Sequence, residues 1–215
     1  MEAQQPNPVQ LQQAFREHIQ NLCYERVKIL YYLGIILTPL FGLLDVVFAP
    51  PGLFFLYLML RFGTSLVLFL ILFFAYPTFG QRSPRVLGII GPVVLGAAIS
   101  ITTCLLGGYE SPYYAGLNLV ILGMSLVLPF SVKETAVTCG LIYGSYIVPI
   151  LWLDRLAEPK FFINNNFFLL GTIIIALASS FYSQRLRFKE FDGLRKGAFL
   201  QRAMTIPVDC LAAQK

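Results

Sequence analysis

Gly107-Gly108-Tyr109-Glu110-Ser111-Pro112-Tyr113-Tyr114-Ala115-Gly116-Leu117-Asn118 is the one stretch in which polar, aromatic and conformationally permissive residues crowd together between two long apolar runs. The paired glycines and the Ser-Pro step read as a tight reversal followed by a helix start. Glycine enters left-handed backbone without a steric penalty, and proline suits the first helical position. The flanking runs, 86–106 and 113–130, carry no charge and are each near the length that crosses a hydrocarbon core. A reversal between such runs makes them antiparallel helices in an apolar phase.

Working outward, the composition agrees. Of 215 residues, 57% are hydrophobic and 13% charged, and the mean hydropathy is +0.70, far above that of soluble domains. Further apolar segments fall at 29–48, 53–76, 135–153 and 167–183, joined by short connections rich in Pro and Gly. The expected fold is all-α: a polytopic bundle of six transmembrane helices. Residues 1–28 are an N-terminal cytoplasmic segment with an amphipathic helix over 8–28, 29–183 the membrane domain, and 184–215 a cytoplasmic exit segment leading to an output domain. In the first of these, Leu11, Phe15, Ile19 and Leu22 recur at helical spacing, as for a helix resting on headgroups or pairing with a second chain. The polar lead before the first apolar run speaks against a cleaved signal peptide.

Basic residues orient the chain. With both termini in the cytoplasm, that side holds Arg16, Arg26, Lys28, Arg82, Arg85, Lys133, Arg185, Arg187, Lys189, Arg195, Lys196, Arg202 and Lys215, and the outer side only Arg155 and Lys160. The 107–118 hairpin then faces outward. The net charge of +5 is accounted for by this asymmetry rather than by nucleic-acid binding. Pro39, Pro92, Pro129 and Pro149 fall inside predicted spans and permit kinks, while Gly88, Gly91, Gly96, Gly140 and Gly144 permit close packing of helices, within the bundle or at a dimer seam.

Two groups of side chains stand out. Asp45 and Arg61 lie at similar depths near the outer ends of the first two spans. An unpaired charge there is unfavourable, so they read either as a structural ion pair or as anchors for a ligand. Tyr109, Glu110, Tyr113, Tyr114 and Asn118 gather at the hairpin. They read either as an interfacial aromatic belt or, with Asp45 and Arg61, as a ligand site. Catalysis within the chain is not expected. The single histidine, His18, precedes the spans, and Cys23, Cys104, Cys139 and Cys210 are scattered, so neither a metal site nor a cofactor is indicated. No P-loop or dinucleotide fingerprint occurs.

Pro39-Leu40-Phe41-Gly42-Leu43-Leu44-Asp45, Leu60-Arg61-Phe62, the segment Gly108 to Leu117, and the exit Gln184-Arg185-Leu186-Arg187-Phe188 together resemble the six-span N-terminal membrane domains of bacterial sensor histidine kinases and class III nucleotidyl cyclases. The architecture is similar to that of α-hydroxyketone quorum-sensing kinases. The resemblance implies a sensory input domain in a bacterial inner membrane, paired as a homodimer. It would bind a small, partly apolar ligand from outside and signal through Arg185, Arg187 and Phe188 to a cytoplasmic kinase or cyclase domain in cis. A small transporter or channel subunit, or a dimeric anchor without ligand, is the alternative.

Overall fold

The computed structural model describes residues 8–48, 52–153 and 159–205, and these residues are helical apart from short turns. Helix α1 (Pro8–Leu40) is followed by α2 (Gly42–Phe48) and α3 (Phe54–Leu70). A π-helical turn, Ile71–Ala75, joins α3 to α4 (Tyr76–Phe79). Then come α5 (Pro84–Leu105), two 3-10 turns (Gly108–Glu110 and Pro112–Tyr114), α6 (Ala115–Val127), α7 (Val132–Leu153) and α8 (Pro159–Thr205). Among the described residues, four helical stretches are long and apolar enough to cross a membrane: Phe54–Phe79, Pro84–Leu105, Val132–Trp152 and Pro159–Leu194. Pro112–Val127 is a shorter apolar helix.

No helix end falls at residue 28. No helix breaker lies near Arg26-Val27-Lys28-Ile29, so α1 runs unbroken for 33 residues, about 50 Å at 1.5 Å per residue. Ile19, Cys23, Val27 and Tyr31, spaced by four, are buried along one stripe. The amphipathic segment is thus continuous in helix with the apolar half of α1, and its apolar stripe packs within the bundle. Phe15 stands edge-on to Phe188 at 5.2 Å and to Phe191 at 5.5 Å, which places the beginning of α1 beside the far half of α8. We call this the exit end of the bundle and the opposite one the hairpin end.

The first predicted span is broken rather than continuous. Pro39 sits in the last turn of α1, the helix is interrupted at the single residue Phe41, and α2 restarts at Gly42. A second proline shapes the π turn. Pro77 brings no N–H and its ring crowds the carbonyl four residues back, which the wider turn just before it accommodates. Pro129 lies not inside a span but in the break at 128–131 between α6 and α7. There Ser131 and Glu134 form a capping box. Glu134 Oε2 accepts from the Ser131 backbone N–H at 2.8 Å, and the Ser131 hydroxyl serves the Glu134 N–H.

The last connection is shorter than expected, because α8 already begins at Pro159 and takes in the asparagine run 164–166. It continues for 47 residues without a break at residue 184. Hydroxyls tie the helices together within the apolar interior: Ser65 donates to the Ile35 carbonyl, Ser100 meets Ser145, and Thr135 meets Ser180. Glycines on α5 allow close contact. A Cβ at Gly91 would come within 3.0 Å of the Tyr31 ring, whose hydroxyl donates to the Leu87 carbonyl. Gly140 and Gly144 on α7 have open space where a Cβ would go, so the close packing expected of them inside the bundle is not found. The outer surface is apolar over most helices. Phe55, Met59, Phe62, Phe73, Phe167, Ile174 and Trp152 are exposed, as suits side chains facing lipid.

Candidate functional site

Helix α2 lies against α3, which brings Asp45 to Arg61. The guanidinium donates from Nε to Asp45 Oδ2 at 3.1 Å and from Nη2 to Oδ1 at 3.2 Å, a two-pronged pair. Asp45 is 1% exposed and Arg61 5%, so water screens neither. The Tyr113 hydroxyl also donates to Asp45 Oδ1, and the Arg61 carbon Cζ stands 5.5 Å from the centre of the Tyr113 ring. Tyr113 owes its place to the hairpin. Gly107 and Gly108 take φ of 96° and 60°, which reverses the chain, and the 3-10 turn at Pro112–Tyr114 then sets the ring over α3. One helical turn before Arg61, Tyr57 is fully buried with a hydroxyl that has no partner among the described residues.

Beside this triad opens a cavity of about 500 Å³ among α1, α3, α5 and α6, the helices of the first four predicted spans. Leu33, Leu37, Leu95, Ile99, Leu119 and Met124 make its walls predominantly apolar, and Arg61 and Tyr113 supply polar groups at the hairpin end. Thr38, Thr64 and Thr102 also line it. Each threonine donates its hydroxyl proton to its own helix, to the carbonyls of Gly34, Leu60 and Ala98, and retains acceptor capacity. The guanidinium has more N–H donors than the Asp45 pair consumes. The cavity thus combines a greasy volume with a few oriented donors and acceptors, the usual make-up of a small-molecule site.

The structure divides the residues expected at the site. Asp45, Arg61 and Tyr113 come together. Tyr109 is buried on another side of the hairpin, where its carbonyl accepts from Asn165 Nδ2 of α8 at 2.6 Å. Tyr114 is half-buried against the core, and Glu110 is exposed. Asn118 has a buried amide oxygen without a partner among the described residues and does not line the cavity. Arg185, Arg187 and Phe188 lie at the exit end, far along α8 from this site: Arg185 over the Phe181 ring, Arg187 donating to the Ser183 carbonyl, and Phe188 against Phe15. Sequence reasoning passed over Tyr57, although its four-residue spacing from Arg61 marked a shared helix face. It also passed over Asn165 and Asn166, whose run read as a loop. Asn166 accepts from the Tyr143 hydroxyl at 2.9 Å.

The fold is that of a helical membrane domain with a predominantly apolar cavity between its helices. The MASE8 family model matches residues 43–196, and the chain belongs to this family of membrane-associated sensor domains. The matched region begins in α2, so α1, which walls one side of the cavity, precedes it. No curated protein and no solved structure matches the chain.

Proposed function

We propose that this chain is the input module of a membrane sensor, in which a small, partly apolar ligand occupies the cavity beside Arg61, Asp45 and Tyr113. The observation that carries the reading is the cavity itself: about 500 Å³ of apolar space bordered by the arginine of a buried ion pair, in a chain of a sensor family. In this reading α1 and α2 together make the first of six spans, α6 with its preceding turns makes the fourth, and both termini are cytoplasmic in a bacterial inner membrane. The ligand reaches the site from the outer side.

Helix α1 supplies both a wall of the cavity and the Phe15 contact on α8. A ligand that favours one position of α1 therefore biases the exit helix, and only a few kcal/mol of differential binding are needed to shift such a balance. The output is a kinase or cyclase domain in cis, in a homodimer.

Gly123 provides the test. It lines the cavity and a Cβ placed on it has nothing within 4 Å among the described residues, so Gly123→Leu puts an apolar side chain where the space begins open. In reconstituted protein, a panel of small apolar compounds is screened for thermal stabilisation. A compound at about a hundred times its Kd stabilises by about 2.7 kcal/mol. The hit must lose its effect in Gly123→Leu while that variant stays at least as stable as the parent. A hit insensitive to the substitution refutes the assignment of the site, and movement of the compound across the bilayer favours a transporter instead.

A further inference from the structure

At the exit end a second space, about 510 Å³, opens between the beginning of α1 and the far half of α8. It is lined by Phe15 of α1 and by Phe181, Gln184, Arg185, Phe188 and Lys189 of α8. Three aromatic rings and two cations share this notch, and no carboxylate is among its lining residues. The Arg185 guanidinium is held over the Phe181 ring, 4.3 Å from its centre. Lys189 follows four residues later, on the same face of the helix.

The height of the notch matters as much as its chemistry. Residues 167–183 of α8 carry no charge, and Arg185, Arg187 and Lys189 come directly after them. The notch therefore straddles the level at which an apolar span gives way to water. Nearby Glu17 and Glu190 are exposed and lie outside it.

We propose that this notch seats the headgroup of an anionic phospholipid, its phosphate between Arg185 and Lys189 and the upper part of a chain against Phe15, Phe181 and Phe188. Charge complementarity selects an anion, and the rings select one that carries apolar chain with it. A hydrated free phosphate would leave three aromatic side chains uncovered. Because Phe15 and Phe188 belong to different helices, the lipid bridges α1 and α8 and fastens them to each other. The site stands independently of the ligand cavity, at the other end of the bundle.

The experiment titrates the purified full chain, in mild detergent, with phosphatidylglycerol or phosphatidylcholine and counts bound lipids by native mass spectrometry. Phosphatidylglycerol should bind in preference. Arg185 and Lys189 are exposed, so Arg185→Gln/Lys189→Gln leaves the fold intact. It should weaken phosphatidylglycerol about fivefold per cation removed, hence about 25-fold, and added salt should weaken the parent's binding.

The exchange Arg185→Lys/Lys189→Arg should retain the preference, as should Lys28→Gln/Lys133→Gln, which removes exposed charge elsewhere. Equal binding of the two lipids by the parent, an undiminished preference in the glutamine pair, or an equal loss in the Lys28/Lys133 control overturns the proposal. So does displacement of phosphatidylglycerol by inorganic phosphate at comparable concentration, which would mark a free-anion site.

Discussion

Removing one member of the Asp45–Arg61 pair should be far more damaging than removing both. The pair is almost wholly desolvated, at 1% and 5% exposure, so the interaction needs no discount for solvent. Arg61→Met leaves the Asp45 carboxylate with the Tyr113 hydroxyl as its remaining neutral donor, and Asp45→Leu leaves a buried guanidinium over the Tyr113 ring. Breaking a buried pair in this way costs about 3–5 kcal/mol. The double variant replaces both ions by apolar side chains of similar size and leaves the Tyr113 hydroxyl orphaned, at about 1–3 kcal/mol. Adding Tyr113→Phe removes that orphan, so the triple variant should return close to the parent, or above it.

Two single losses of at least about 3 kcal/mol each, against a double loss of at most about 3, give a coupling of about 3 kcal/mol or more. Denaturant titration of the purified protein in mild detergent measures all four differences. If the double variant loses as much as the two singles combined, or the triple is no better than the worst single, the account of the triad as a mutually neutralised buried unit is wrong.

Gly91→Ala should destabilise by about 1–3 kcal/mol through the Tyr31 ring, whereas Gly144→Ala should stay within about 0.5 kcal/mol of the parent in the same titration; equal effects would contradict the observed helix rotations. Cys23 is almost wholly buried, at 1% exposure. Iodoacetamide at pH 8 should therefore leave Cys23 unmodified until the protein is unfolded, and rapid native-state labelling followed by peptide mapping would refute that. In a background without other reactive thiols, Glu110→Cys should react with a membrane-impermeant maleimide from outside intact cells and Lys189→Cys only after permeabilisation; the reverse pattern overturns the proposed orientation.

The apolar runs, their breakers and their near-spanning lengths are local properties, and the sequence by itself determined from them an all-helical membrane domain with a tight hairpin at Gly107 and Gly108. It also marked Asp45 and Arg61 as partners, because two opposite charges at one depth in an apolar phase have few other ways to be satisfied. The continuity of α1 past residue 28 and of α8 past residue 184 was less visible. A change from apolar to charged composition looks like an element boundary, yet it leaves the backbone hydrogen bonding of a helix untouched. Only the tertiary structure decided how each helix is rotated about its axis. That rotation placed Tyr113 on Asp45 but Tyr109 against Asn165, opened the cavity beside Arg61, and left open space where a Cβ would stand on Gly140 and Gly144, among the described residues. In an almost uniformly apolar helix no polar face records which side is inward, so side-chain packing between helices sets the rotation and no single segment encodes it.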